Sequence, residues 1–120
     1  MQHLSTLFDL SADDVMDILE TAASLKEKHA AGTPATPLKN RVATLVFEKP
    51  SLRTRLSFEA AMTHLGGSAS FFSGTDAGFY GRESLPDIAR VISGYSDVVV
   101  LRTFSQELIN EFCEWSTCPV

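Results

Sequence analysis

The run Phe47-Glu48-Lys49-Pro50-Ser51-Leu52-Arg53-Thr54-Arg55 places two hydroxyls and two guanidinium groups together where an apolar, β-branched stretch gives way to helical spacing. Those are phosphate-binding groups in a phosphate-binding place. The first-turn N–H groups of a helix have no backbone partner, so an anion there accepts several hydrogen bonds and faces the positive end of the helix dipole. Ser51 falls at the N-cap, and Arg53 and Arg55 add full charge. A guanidinium grips two phosphate oxygens at once, each charge-assisted bond contributing roughly 1.5 to 3 kcal/mol. The pattern suits a dianion. The plainer reading makes Ser51 an ordinary cap and the arginines solvated surface, with Arg55 paired to Glu59 at i, i+4. It is retained for Arg55. It fits the whole set less well, because a surface helix seldom opens with Ser-x-Arg-Thr-Arg directly after a buried strand.

The elements that must position these groups alternate. Ser11 followed by Asp14 has the form of a capping box, and Val15, Ile18, Leu19 and Ala22 mark one face of an amphipathic helix running to about Ala30. Gly32 to Pro37 breaks it. A buried strand is predicted over 42–47, then a helix from Ser51 that ends before Gly66-Gly67, and a second strand over 68–72. The stretch 73–83 holds Gly74, Gly78 and Gly81 without a period and reads as a loop. Ser84 caps a helix with Leu85, Ile88, Ala89 and Ile92 on one face, and Gly94 is expected to stop it. A third strand over 97–101, a helix from Ser105 through Trp115, and the start of a fourth strand at Pro119-Val120 complete the reading. This predicts an α/β fold: a parallel sheet of about four strands flanked by helices, with right-handed crossovers, preceded by an amino-terminal helix.

In such sheets ligands bind beyond the carboxyl ends of the strands. Arg102 directly follows the third strand, so it should project from the same edge as the loop carrying 51–55, provided that strands one and three are neighbours. From the residues alone, Arg102 reads equally well as a solvent-exposed strand end.

Taken together, Phe-Glu-Lys-Pro-Ser-Leu-Arg-Thr-Arg-Leu-Ser-Phe-Glu resembles the carbamoyl-phosphate signature of the aspartate and ornithine carbamoyltransferases. His64-Leu65-Gly66-Gly67, the segment from Gly81 to Ile92, and Asp97-Val98-Val99-Val100-Leu101-Arg102 follow in the family's order, and the opening 4–11 resembles an ornithine-type amino terminus. The likeness covers essentially all 120 residues, yet only the amino-terminal half of such an enzyme. It implies that residues 1–120 are a carbamoyl-phosphate-binding domain, with a second, amino-acid-binding domain beyond Val120. It implies that Ser51, Leu52, Arg53 and Thr54 hold the phosphate, and that Thr54 and Arg102 polarise the carbamoyl carbonyl as catalytic groups. Arg55 and Arg82 are candidates for a supporting or across-subunit role. The Lys-Lys pair of the aspartate enzymes is missing from the loop before Glu83, which favours the ornithine type. The Gln or His found there in many ornithine enzymes is missing too. The implied partners are carbamoyl phosphate and an amino-acid substrate in a homotrimer, with a place in arginine biosynthesis. No cofactor is implied, and the fragment alone is expected to bind weakly and to catalyse negligibly.

Composition narrows the classes independently. At 120 residues, 44% hydrophobic and 21% charged, the chain is the size of one domain. A net charge of -5 and a pI near 5.0 argue against a nucleic-acid face but allow a small anionic ligand at a local positive site. No stretch approaches a membrane span, and the amino terminus, Met1-Gln2-His3-Leu4-Ser5, has no basic or apolar leader. A soluble cytoplasmic protein is expected. His3, His29 and His64 are far apart in sequence, and neither they nor the cysteines carry metal-ligand spacing. Cys113 is expected to be a small buried hydrophobe, and Cys118 to be exposed near the chain end. A receiver-like signalling domain would need acidic residues where this chain has Glu48-Lys49-Pro50-Ser51. A non-catalytic phosphate-binding or assembly module is the competing class.

Overall fold

The computed structural model describes residues 3–120. Met1 and Gln2, on which the reading of the amino terminus partly rests, lie outside them. A single 3-10 turn, Leu7–Asp9, precedes helix α1 (Ala12–Ala30). Then follow β1 (Val42–Phe47), α2 (Leu52–His64), β2 (Ser68–Ser73), α3 (Leu85–Tyr95), β3 (Val98–Arg102) and α4 (Gln106–Trp115). The strands form one parallel sheet in the order β2-β1-β3. β1 lies in the middle, and its Ala43, Thr44, Leu45, Val46 and Phe47 are all buried. Flanked by strands and covered on both faces, β1 must read as a near-continuous apolar run, as it does.

Two cores lie on the two faces. Ala43, Leu45, Phe47 and Met62 pack with Leu38, Ala69, Phe71, Val98 and Val100 beneath α2. Ile88, Ala89, Val99, Phe112 and Cys118 pack with Phe79, Leu85, Ile92 and Leu101 beneath α3 and α4. Fully burying a side chain such as Leu45 or Val46 contributes roughly 1.5 to 3 kcal/mol each, and both are completely enclosed. Helix α1 stands apart. Its capping box forms, Asp14 N–H donating to Ser11 Oγ at 3.1 Å and Ser11 N–H to the Asp14 carboxylate at 2.8 Å. Its apolar stripe of Val15, Met16, Ile18 and Leu19 remains exposed. The rings of His29 and His64, far apart in sequence, stack at 4.2 Å where α1 and α2 end.

Several expectations need correction. The sheet has three strands rather than about four: Val99 N–H does donate to the Pro119 carbonyl at 2.9 Å beside β3, but two residues are too few to extend a ladder. Gly94 does not stop α3, which runs through it to Tyr95. The helix ends where Ser96 turns extended so that Asp97 N–H can reach the Val42 carbonyl at 2.8 Å. The packed face of α3 offsets the roughly 1 kcal/mol that an interior glycine costs. The third strand is shifted one residue later than predicted and includes Arg102. Cys118 is buried, only 6% exposed, because it packs against Val99 and Phe112, whereas Cys113 is half-buried. Burial pushes the Cys118 thiol pKa up.

The start of the sheet is tied by Asp97, whose carboxylate accepts Val42 N–H at 2.8 Å and Arg41 Nη1–H at 2.7 Å. Those bonds, the Val42 amide first, hold its pKa below the ordinary carboxylate value. A lowered folded-state pKa gives stability that is present above the unfolded value of about 3.9 and is lost as pH falls through the folded one. Asp97→Asn should therefore flatten the fall in thermal midpoint below about pH 4; an unaltered acid profile would show that the contact is not maintained. At Gly67 a Cβ would lie 2.7 Å from both the Arg41 carbonyl oxygen and Met62 Cε, and 3.0 Å from the Leu38 carbonyl oxygen. Two backbone oxygens cannot move aside cheaply, so Gly67→Ala should destabilise by about 1 to 3 kcal/mol in urea unfolding.

Candidate functional site

The register of the sheet decides what meets at its carboxyl edge. Phe47, the last residue of β1, pairs with Arg102, the last of β3, and Glu48 N–H donates to the Arg102 carbonyl at 2.8 Å. Side chains alternate along a strand. Val98 and Val100 pack into the core beneath α2, so the same parity places Arg102 on the α2 face. Only Glu48, Lys49 and Pro50 separate β1 from Ser51 at the tip of α2. Two distant stretches of sequence thus share one edge and one face.

The tip itself is open. Ser51 occupies the N-cap with φ -156° and ψ 99°, yet its side chain makes no capping bond. The hydroxyl donates instead to Thr54 Oγ1 at 2.8 Å. The first intrahelical bond runs from Arg55 N–H to the Ser51 carbonyl at 3.0 Å, which leaves the amides of Leu52, Arg53 and Thr54 without intrahelical partners. In α1, α3 and α4 the cap serine accepts an amide of the first turn: Asp14 by Ser11, Asp87 by Ser84 and Leu108 by Ser105. The cap position in α2 is as predicted, and the hydroxyl's turn to Thr54 departs from the ordinary cap of the plainer reading.

The charges divide in the same way. Among the described residues Arg41 pairs with Asp97, Arg55 with Glu59 and Arg90 with Asp87. Arg53, Arg82 and Arg102 are exposed and take part in none of these pairs. Arg55 Nε donates to Glu59 at 2.9 Å, and its guanidinium lies 3.8 Å from the centroid of the Phe71 ring, so it is committed to the helix and the sheet. Leu52 is exposed and can offer only its amide. Arg82 lies in the loop 74–83, away from regular structure.

Glu48, Tyr80 and Phe104 were not singled out by the sequence, although they tie this edge together. One carboxylate oxygen of Glu48 accepts the Tyr80 hydroxyl, and the other accepts Phe104 N–H at 2.7 Å. Lys49 Nζ sits 4.5 Å from the centroid of the Phe104 ring. No periodicity connects positions 48, 80 and 104; the only local signal was an acid placed next to a basic, hydroxyl-rich run. The carboxylate raises the pKa of Tyr80 above its ordinary value, because ionising that hydroxyl would set two anions side by side.

Arg53 and Arg102 stand exposed at this edge. A cleft of about 350 Å³ lined by Phe72, Asp76 and Tyr95, and another of about 420 Å³ along β3, include neither Ser51, Arg53 nor Arg102. Chemically, free amides, hydroxyls and uncompensated guanidiniums on one face can hold a dianion and can donate to an oxygen on which negative charge develops.

Known proteins share this sequence and fold. The family model described as aspartate/ornithine carbamoyltransferase, carbamoyl-P binding domain, matches residues 2–120. Ornithine carbamoyltransferase of Desulfotalea psychrophila is 44% identical over 118 residues, 98% of this chain and 39% of that protein. The solved structure of ornithine carbamoyltransferase from Pyrococcus furiosus superposes with a TM-score of 0.94 at 36% identity, covering 99% of this chain and 38% of that one. The catalytic subunit of M. jannaschii aspartate transcarbamoylase superposes with a TM-score of 0.88 at 37% identity, covering 99% and 39%. The chain spans about two fifths of the length of the relatives it matches. By its sequence over almost every residue, and by a parallel sheet that ends at the tip of α2, this chain belongs to the aspartate/ornithine carbamoyltransferase family.

Proposed function

We propose that residues 1–120 are the carbamoyl-phosphate-binding domain of an enzyme that transfers a carbamoyl group to the side-chain amine of ornithine, giving citrulline and phosphate. The observation that carries this reading is the uncapped tip of α2 on the same face and edge as Arg102. In this account the amides of Leu52, Arg53 and Thr54, the hydroxyl of Ser51, and the Arg53 guanidinium hold the phosphate. Arg102 bridges phosphate and carbonyl oxygen, and Thr54 donates to that carbonyl. The neutral amine attacks the carbonyl carbon, forming a C–N bond as charge gathers on the oxygen. The tetrahedral intermediate then collapses: the bond from carbon to the phosphate oxygen breaks, phosphate leaves with the electron pair, and the nitrogen gives up its surplus proton. Donors already aimed at the oxyanion need no reorganisation, and losing one typically lowers turnover by about 10²- to 10³-fold.

Ornithine is preferred to aspartate because the relatives at 41–44% identity carry the ornithine name, and because 78–82 reads Gly-Phe-Tyr-Gly-Arg with no lysine pair. A second domain would select the amine and complete the pocket. Arg82 is the candidate for a contact across subunits, and a homotrimer is the proposed assembly; the exposed stripe Val15, Met16, Ile18 and Leu19 on α1 supports further protein surface against this chain. A cytoplasmic enzyme of arginine biosynthesis is the setting these assignments fit. Among the described residues no helix is long and apolar enough to cross a membrane.

In a polypeptide carrying this chain and the second domain, citrulline should form from ornithine and carbamoyl phosphate; carbamoylation of aspartate but not ornithine would overturn the substrate assignment. Arg53→Ala and Arg102→Ala should each weaken carbamoyl-phosphate binding by at least about tenfold in calorimetry. Both side chains are exposed, so thermal unfolding should remain cooperative. Unchanged affinity in either variant would remove that arginine from the site.

A further inference from the structure

Glu48 presents an electrostatic puzzle. It lies three residues before Ser51, where a free carboxylate would repel any dianion at the tip of α2. Both carboxylate oxygens are occupied by donors from other segments. Oε2 accepts Phe104 N–H at 2.7 Å, from the turn just after β3, and Oε1 accepts the hydroxyl of Tyr80, from the loop after β2. The backbone of the same residue donates to the Arg102 carbonyl at 2.8 Å. Glu48 therefore grips the polypeptide at Arg102 itself, through its carbonyl, and again two residues later through the Phe104 amide. Lys49 rests over the Phe104 ring at 4.5 Å and Thr103 Oγ1 donates to the Ser105 carbonyl at 2.9 Å, so the turn is closed locally as well.

The third segment is brought equally close. Gly74 N–H donates to the Phe47 carbonyl at 3.0 Å, and a Cβ at Gly74 would stand 3.0 Å from Glu48 Cγ. The loop thus starts against Glu48 and, at Tyr80, comes back to it. Arg82 follows two residues later. One side chain joins the strand end that leads into α2, the turn that follows Arg102, and the loop that carries Arg82.

We propose that Glu48 is a positioning residue of the anion site: its carboxylate latches the Arg102 turn and the Tyr80 loop to the end of β1, and so holds Arg102 beside the tip of α2. The proposal rests on the carbamoyl-phosphate reading of that tip. Glu48 does not touch the anion; it acts through Arg102. Holding its charge in two donated hydrogen bonds also turns it away from the phosphate, which a free carboxylate at this position would oppose.

The test uses the 120-residue chain, with inorganic phosphate titrated into the high millimolar range because the fragment alone is expected to bind weakly, and with amide NMR shifts of Leu52, Arg53 and Thr54 as the binding signal. Glu48→Ala should weaken phosphate binding by about tenfold, the scale of a lost charge-assisted bond, and should speed hydrogen exchange at the Phe104 amide. Glu48→Gln should restore most of both, since its carbonyl can accept Phe104 N–H and its NH₂ can donate to the Tyr80 oxygen. Tyr80→Phe, which removes one hydroxyl and leaves the fold alone, should weaken binding less, and should add nothing on top of Glu48→Ala. In a Tyr95→Phe background the ultraviolet titration of Tyr80 should move down toward the ordinary tyrosine value when Glu48 becomes Gln. A folded Glu48→Ala chain that binds phosphate within twofold of the unmodified one would overturn the latch alone. So would a loss of binding that leaves Phe104 exchange and the Tyr80 titration unaltered. If Glu48→Ala does not fold, Tyr80→Phe and Glu48→Gln decide: unchanged phosphate binding and Phe104 exchange in Tyr80→Phe, together with an unchanged Tyr80 titration in Glu48→Gln, overturns the latch. A lack of phosphate response at residues 52–54 in the unmodified chain even at the highest phosphate concentration would instead overturn the carbamoyl-phosphate reading, and the latch's part in anion binding with it.

Discussion

Strand β1 is hydrogen-bonded on both sides, to β2 along Val42–Phe47 and to β3 from Ala43 to Phe47, and the chemistry at the carboxyl edge takes its coordinates from that double pairing. Parallel strands in register end together. Phe47 therefore stands between Ser73 and Arg102, and the segment leaving each strand starts from nearly the same line. A slip of one residue between β1 and β3 would turn Arg102 to the opposite face of the sheet. Burial prevents that slip. Val98 and Val100 belong to the core beneath α2 and Val99 to the core beneath α3 and α4, so exchanging faces would misplace all of them. Packing energy deep in the sheet is thus what aims a charged group at its rim.

At that rim the local charge differs from that of the whole chain. The net charge is -5, which would repel an anion at long range. Over a few ångströms the outcome depends on which cations already have partners. Arg41, Arg55 and Arg90 are each matched by a carboxylate, and Arg55 also stacks on Phe71. Arg53 and Arg102 have no such partner among the described ion pairs, and the nearby acid, Glu48, is occupied by Tyr80 and Phe104. The tip of α2 adds three amides that no side chain caps. Positive potential is available there because Arg53 and Arg102 take part in none of the described ion pairs and no side chain caps the tip.

Much of this was legible in the residues. Hydrophobic periodicity located every strand and helix to within a few positions, because each element must bury one stripe or one run and the spacing records it. The errors came where local and tertiary preferences compete. Gly94 is a weak helix former, yet α3 continues through it because Ile88, Ala89 and Ile92 hold that helix on the sheet. Cys118 lies close to the chain end, yet Phe112 and Val99 bury it. Ser51 was correctly placed at a helix start, but whether its hydroxyl capped the helix or turned to Thr54 depended on rotamers that no pattern encodes.

The sequence by itself determined the element order, the clustering of hydroxyls and guanidiniums at 51–55 and the family, since propensity, charge and motif are properties of neighbouring residues. Only the tertiary structure decided that β3 lies beside β1, that parity brings Arg102 onto the α2 face, and that Glu48 joins Tyr80 and Phe104. Those are relations between residues 32 to 56 positions apart. They exist only after strand pairing and burial have closed the loops between them, so no local rule could have set them.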